Sequence, residues 1–215
     1  MGMFQNMVDA LFPDKLVSMC KKEKGSVGEG FKYLIVAGIV SLVLGLVTRL
    51  VLNALGVGLG TAGAGAAAFD VATYLIGGVI ALVVGLVLTW LVLKIAHLAI
   101  TALLKAKAGF GQMFFCVAVL WSAVQILNSV LSLLPCIGAI LMILLFLYSL
   151  YLLFMLFKAV YGFDTGGAIA ALVVLVVVSV VIYGIFALVV MAALLGLLGL
   201  GALGTSGVLG FQPVV

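Results

Sequence analysis

Three polar side chains, Gln125, Asn128 and Ser129, are grouped within an otherwise apolar stretch of this 215-residue chain. Their amide and hydroxyl groups donate and accept hydrogen bonds, and such a bond between membrane helices is worth roughly 0.6–2 kcal/mol. We therefore predict that all three face inward and join helices. The alternative is that they line a substrate path, as polar residues at the midplane of a transporter or channel do.

The residues that usually carry catalysis or bind metals are few and scattered. His97, the lone histidine, has no acidic neighbour in sequence and is predicted to end a helix, so no metal site is expected. Cys20, Cys116 and Cys136 lack metal spacing. We expect Cys20 and Cys116 to stay unpaired, because one is placed on the cytoplasmic side and the other inside a helix. Acylation of Cys20 is an alternative. Without a nucleophile, base and orienting group in reach, we predict no enzyme activity.

Glycine-rich stretches at 58–63 and 199–204 both match the GxGxxG pattern of dinucleotide-binding proteins. Neither follows a predicted strand or opens a βαβ unit, which the pattern requires for cofactor binding. A chain with 27 glycines also produces such matches by chance. We predict flexible segments there and no cofactor.

The composition explains why polar chemistry is scarce. Apolar residues make up 67% of the chain and charged residues 7%, with a mean hydropathy of +1.55. A soluble domain carries about 25% charged residues, so this chain could not cover its own surface in water. The lipid bilayer is therefore the first predicted partner. The cations lie in short clusters between apolar stretches, which indicates topology signals and no nucleic-acid surface.

The fold class that follows is all-α, a polytopic membrane protein with a five-transmembrane-helix bundle and a short N-terminal amphipathic interfacial helix. The spans are predicted at about 31–54, 71–96, 110–133, 137–157 and 166–198. Ser26 begins a capping-box pattern with Glu29 ahead of the first span. Asp70 and Asp164 precede the second and fifth spans as N-caps, because a carboxylate there accepts from unpaired N–H groups and complements the helix dipole.

Small residues recur every fourth position on two of the predicted helices. Ala37, Ser41 and Gly45 form one such stripe. Gly77, Ala81 and Gly85 form the other. Because small side chains let backbones approach closely, we predict that the first two spans pack on each other through these stripes.

The chain divides into three predicted regions: a cytoplasmic amphipathic lead at 1–30, a five-helix domain at 31–199 and an external Gly-rich apolar tail at 200–215. The lead is predicted to form two short helices broken at Pro13, lying in the membrane interface, with a disordered tail as the alternative. The fifth helix is predicted to end between Leu195 and Leu203. The tail is then expected to dock on the bundle or on a neighbouring subunit.

The distribution of cations predicts the orientation. With five spans, every Lys and Arg except Arg49 falls on the side of the N-terminus or at the adjoining helix ends. Positive charge marks the cytoplasmic side of a membrane protein. We therefore expect a cytoplasmic N-terminus and an external C-terminus.

The order of these features resembles the Yip1 family over nearly the whole chain. The resemblance rests on the Pro-containing lead LFPDKL, on GFKYLIVAGIVSLVLGLV as first span, and on segment 109–172 with its third span, short Pro turn and long fourth span. The short lead is similar to that of prokaryotic members of the archaeal type, which implies a plasma-membrane location. Eukaryotic relatives are tied to Rab GTPases and vesicle traffic and carry a long cytosolic N-terminal region that this sequence does not show, so we do not expect that role here. The resemblance implies no catalytic residues.

Together these observations predict a non-enzymatic membrane scaffold that recruits or stabilises membrane proteins or influences membrane organisation. Other membrane proteins, or further copies of the chain, are the expected protein partners. A small transporter or channel subunit is one alternative. An accessory subunit of a larger membrane complex is another, and it differs from the scaffold only by an obligate partner.

Overall fold

The computed structural model describes residues 2–22, 25–54, 70–134 and 137–206. Within these ranges the chain is 89% helical and contains no strand. The helices are α1 (Met3–Asp9), α2 (Pro13–Lys22), α3 (Val27–Ala54), α4 (Val71–Leu104), α5 (Phe110–Leu131), α6 (Ile137–Tyr161) and α7 (Thr165–Ser206). Helices α3 to α7 are long and apolar enough to cross a membrane. The all-α, multi-pass fold class is thus confirmed.

Side chains at the helix starts satisfy N–H groups that have no partner within the helix. The Glu29 amide donates to Ser26 Oγ (3.2 Å), and the Ser26 amide donates to the Glu29 carboxylate (3.4 Å), which completes a capping box. Asp70 accepts from the amides of Ala72 and Thr73 at the start of α4. At the start of α7, Asp164 accepts from the Gly167 amide at 2.8 Å.

Three helices run further than the sequence predicts: α6 reaches Tyr161, past the predicted end at about 157, and α4 and α7 are longer as well. Helix α4 continues past His97 to Leu104 and ends at Lys105, which adopts the left-handed conformation (φ 50°) as a C-cap. The prediction that His97 ends the helix is therefore wrong. Helix α7 continues to Ser206, beyond the predicted limit of Leu203. The predicted docking of the tail concerns mainly 207–215, which lies outside the described residues.

The five long helices alternate in direction. Near one end, which we call the lead end, the His97 ring in α4 meets Phe110 in α5 and Tyr161 in α6, at centroid distances of 5.5 and 6.0 Å. At the opposite end, the distal end, Arg49 in α3 meets Tyr74 in α4. Helix α5 is central and packs against α3, α4 and α6 as well as the two short helices. Its first half, Met113–Leu120, is fully buried.

The N-terminal lead forms the two predicted helices, but it packs against protein. Asn6 Nδ2 donates to Tyr33 Oη in α3 at 2.8 Å, and Gln112 Nε2 in α5 donates to the Cys20 carbonyl at 2.6 Å. Tyr148 Oη in α6 donates to the Leu11 carbonyl at 2.7 Å. Tyr148 lies ten residues, about 15 Å, along α6 from Lys158. The turn between α1 and α2 is therefore seated beside the bundle, well below the helix ends.

The expectation that Cys20 and Cys116 stay apart is wrong. The two residues form a disulfide, with Cα atoms 5.8 Å apart, and both side chains are buried. Because α2 lies alongside the first half of α5, the lead reaches a residue inside a transmembrane helix. Close packing at two glycines brings the start of α3 against the same part of α5. A side chain at Gly25 would overlap the Phe115 ring, and a Cβ at Gly30 would lie 2.6 Å from the Phe114 ring.

Candidate functional site

A group of polar side chains in the described spans lies in a cleft between α3 and α5. The cleft has a volume of about 480 Å³ and extends from the middle of the bundle to the distal end. We call it the polar cleft. Its lining residues are Ser41, Trp121, Val124, Gln125, Asn128, Ser129 and Ser132.

Hydroxyl groups in the polar cleft differ in how they are satisfied. Ser129 Oγ donates to the Gln125 carbonyl (2.9 Å) and Ser132 Oγ to the Ser129 carbonyl (2.7 Å), so both bond within their own helix. Ser41 Oγ is buried and has no hydrogen-bond partner among the described residues. A buried hydroxyl without a partner costs about 1–3 kcal/mol. The α3 side of the cleft therefore presents an unsatisfied group.

The prediction that Gln125, Asn128 and Ser129 hydrogen-bond across helices is not what the structure shows. Gln125 is exposed, and the other two are half-buried along the cleft. Within the described part of the chain, the side-chain amides of Gln125 and Asn128 have no protein partner. The opposing α3 surface offers apolar and small residues apart from Ser41, so the amides have little to reach. The cluster thus faces an open cleft that could accept a ligand.

A second, larger cavity lies between α3 and α4 near the distal end, with a volume of about 820 Å³. We call it the distal cavity. Its polar lining consists of Arg49, Asp70, Thr73, Tyr74 and Gln125, which also borders the polar cleft. Its other lining residues are small or aliphatic: Gly38, Leu42, Gly77, Gly78, Ala81 and Leu82.

The small-residue stripes bring α3 and α4 together differently from the prediction. A side chain at Gly38 would overlap Leu82, and one at Gly78 would overlap Leu42, so these two glycines make the contact. Gly45 is close to the Tyr74 side chain, which lies outside the second stripe, and Ser41 of the first stripe lines the polar cleft against α5. A Cβ at Gly77 or Gly85 would meet nothing within 4 Å, and Ala81 is exposed. Helices α3 and α4 do meet, but the prediction that the 77/81/85 stripe mediates the contact is wrong.

Arg49 and Tyr74 form a polar contact in the distal cavity. The sequence analysis does not predict this contact. The guanidinium carbon lies 4.9 Å from the centre of the Tyr74 ring, and Tyr74 Oη donates to the Leu42 carbonyl at 3.4 Å. An arginine at the end of one span and a tyrosine in the first turn of the next are typical of a membrane interface. Their positions at facing ends of consecutive spans could have predicted that the two residues lie close together.

Asp70 accepts hydrogen bonds from the first turn of α4. Hydrogen bonds from the Thr73 hydroxyl, and then from the Thr73 and Ala72 amides, lower the pKa of the Asp70 carboxyl below its ordinary value. The carboxylate is therefore ionised at neutral pH, and its charge complements the helix dipole. Arg49 and Asp70 border the same cavity without forming an ion pair in the described structure.

A different polar contact lies inside the bundle near the lead end. His97 Nδ1 and Tyr161 Oη are 2.8 Å apart, and Lys94 Nζ lies 4.5 Å from the centre of the Phe110 ring. His97 is buried, and its partner is 64 residues away in sequence, so no local pattern indicated the pair. Among the described residues, no group of three or more His, Cys, Asp or Glu side chains is placed to hold a metal ion. We assign this contact a packing role.

The polar cleft and the distal cavity are thus two places where the described spans present hydrogen-bonding groups at the surface. Both border Gln125, and both lie toward the distal end. Comparison of the chain with protein-family models, with curated proteins and with solved structures gives no match.

Proposed function

We propose that the protein is a membrane scaffold whose polar cleft binds a transmembrane helix of another membrane protein. The observation that carries the proposal is the set of unsatisfied groups in the cleft: the Ser41 hydroxyl and the side-chain amides of Gln125 and Asn128. In hydrocarbon such groups are costly, and a partner helix with a polar residue would satisfy them. The resemblance to the Yip1 family agrees with a scaffold role and stays a prediction.

A helix fits this cleft better than a solute that crosses the membrane. The cleft opens sideways between α3 and α5, and Trp121 and Val124 at its edge are only half-buried. Toward the lead end, α5 continues as the fully buried segment Met113–Leu120. A solute path would need polar groups along that half as well, whereas a laterally docked helix needs them only along the cleft.

Photo-crosslinking in native membranes tests the proposal. A photoreactive residue in place of Val124 should crosslink one discrete membrane protein. A matched probe replacing Val180, which is 66% exposed on α7, should not. Combining the Val124 probe with Gln125→Leu and Asn128→Leu should abolish the crosslink, because the double variant removes the hydrogen bonds while retaining an apolar surface. Equal crosslinking from both positions would contradict a specific cleft partner.

The transporter and accessory-subunit alternatives have their own readouts. Solute flux in reconstituted vesicles that vanishes with Gln125→Ala plus Asn128→Ala would favour transport over scaffolding. Purification in mild detergent distinguishes the accessory subunit, because an obligate partner would co-elute in a fixed ratio. A scaffold would instead release its partner on dilution.

We also propose that the lead end faces the cytoplasm of a prokaryotic cell. Its support is the charge distribution, since the cations other than Arg49 belong to the lead-side segments of the sequence. In a variant carrying Cys136→Ser, an impermeant thiol reagent added to intact cells should label Ser132→Cys. It should label Ala106→Cys only after permeabilisation. Labelling of position 106 in intact cells would reverse the orientation.

A further inference from the structure

The distal cavity contains a cation, Arg49, that forms no ion pair with the Asp70 carboxylate or any other within the described residues. Arg49 lies at the distal end of α3, and its guanidinium contacts the Tyr74 ring. Within the described residues, the sole ion pair joins Lys15 and Asp9, far from this cavity. Asp70 borders the cavity too, but its oxygens accept hydrogen bonds from Ala72 and Thr73. Several guanidinium N–H groups are therefore available to an anion from the membrane.

The cavity continues from Arg49 along a smooth trough on α4. Gly77 and Ala81 border it, and both are exposed. A Cβ built at Gly77 meets no atom within 4 Å, so the space over this residue is open. The neighbouring Gly78 differs, because its space is taken by Leu42 of α3. The small residues at 77 and 81 thus leave a depression one helix turn long, on the membrane side of the charged group.

We propose that the distal cavity binds one phospholipid of the bilayer, with its phosphate on Arg49 and an acyl chain over Gly77 and Ala81. Arginine recognises phosphate through paired N–H donors, which makes it suited to a phosphodiester. The contact with Tyr74 holds the Arg49 guanidinium beside the first turn of α4. Lipid headgroups lie at this level of a membrane helix. The open trough then points into the hydrocarbon, as an acyl chain does.

The site is distinct from the partner cleft. Gln125 borders both, but the proposed lipid contacts use Arg49 and the α4 trough, which are not part of the polar cleft. A free anion such as inorganic phosphate would use Arg49 alone and would leave the trough empty. A cation at one end of the cavity and an open apolar trough at the other together fit a bilayer lipid.

Native mass spectrometry of the full chain, released from nanodiscs, provides the test. The nanodiscs contain a neutral lipid background with a small fraction of phosphatidylglycerol or of the matched diacylglycerol, which lacks the phosphate. The wild-type protein should retain one phosphatidylglycerol and no diacylglycerol. Arg49→Gln should reduce retention about ten-fold, the range expected for losing hydrogen bonds to a charged group. Arg49→Lys should restore part of it.

Substitution in the trough separates lipid binding from folding. Gly77→Leu should also reduce retention about ten-fold, because the new side chain enters the space of the acyl chain and its Cβ meets no protein atom within 4 Å. Gly184→Leu is the matched control, since a Cβ at Gly184 on α7 likewise meets nothing within 4 Å. It should retain the lipid as the wild type does.

Three outcomes would overturn the proposal. One is wild-type retention by both Arg49→Gln and Gly77→Leu, provided that helical content and elution volume are unchanged. The second is equal retention of diacylglycerol, which would show that phosphate is not recognised. The third is displacement of the lipid by millimolar inorganic phosphate, which would identify a free anion as the ligand. Failure of the Val124 probe to crosslink a partner would contradict the proposed partner helix but would not affect lipid retention. The two proposals can therefore be rejected independently.

Discussion

The two ends of the bundle differ in what they offer to the surroundings. Toward the lead end, large side chains such as Phe114, Phe115 and Phe157 are fully buried. Toward the distal end, the polar cleft opens between α3 and α5, and the distal cavity opens between α3 and α4. The first region holds the fold together, and the second leaves groups available for binding. Close packing and the polar groups that are open to the surroundings are thus concentrated in different halves of the same helices.

The difference originates in α5. Its first half includes the buried segment Met113–Leu120, which supplies packing volume and contains Cys116, the residue that anchors the lead. Its second half contains Gln125, Asn128 and Ser129, with Ser132 as the C-cap, and these residues supply hydrogen-bonding groups and less packing volume. In lipid, helices associate through close packing, because the tails are as apolar as leucine. The half with the greater packed volume therefore dominates stability.

Truncating a buried ring should show the largest effect. Phe114→Ala is expected to lower the free energy of unfolding by about 3–5 kcal/mol, because it leaves a cavity at the junction of α3 and α5. Phe146→Ala is the matched control, since Phe146 in α6 is 60% exposed to the surroundings. It should change stability by about 0.5 kcal/mol. Reversible unfolding in mixed micelles measures both. Equal losses would remove the distinction between packed and exposed rings.

Breaking the Cys20–Cys116 disulfide should have the next largest effect. Cys20→Ser is expected to cost about 2–4 kcal/mol, because the disulfide restricts the unfolded chain over 96 residues. A reducing agent should destabilise the wild-type protein and leave the variant unchanged. Faster hydrogen exchange in α1 and α2 should accompany the loss. If reduction has no effect on exchange, the lead is held by packing alone.

The contact between α3 and α4 can be tested by two leucine substitutions. Gly78→Leu should destabilise by about 1–3 kcal/mol, because the side chain would overlap Leu42. Gly85→Leu should leave stability unchanged or raise it slightly, since its Cβ meets nothing within 4 Å and leucine favours helix. The reverse order would restore the original prediction that the 77/81/85 stripe forms the interface.

The smallest effect should come from acidification at the lead. The hydrogen bond from Lys15, with a further one from Gln5, lowers the pKa of the Asp9 carboxyl below its ordinary 3.8. A lowered carboxyl pKa stabilises the folded state above the ordinary value, and the contribution is lost as pH falls through the lowered value. Hydrogen exchange in α1 should therefore rise below about pH 3.8. Asp9→Asn should show no such rise.

The sequence was sufficient for features that depend on local chemistry. Five apolar stretches identified five helices, and Asp70 and Asp164 stand where a helix start needs an acceptor. It failed where the outcome depends on which helix faces are opposed. Gly77 and Gly78 are equally small, and only the rotation of α4 about its axis decides that Gly78 meets α3. The contact between His97 and Tyr161 and the disulfide likewise depend on tertiary arrangement, which no local spacing encodes.

The length of α7 has a consequence for the bilayer around the protein. Its apolar part, Thr165–Ala193, would extend about 43 Å if upright, against a hydrocarbon thickness of about 30 Å. Tilting absorbs part of the excess, and local thickening of the bilayer must absorb the remainder at a cost of fractions of a kcal/mol per Å. Lipids with longer chains, or neighbours with equally long helices, reduce that cost. The protein should therefore concentrate in thicker regions of membrane and gather long-helix proteins around it, even before any specific contact forms.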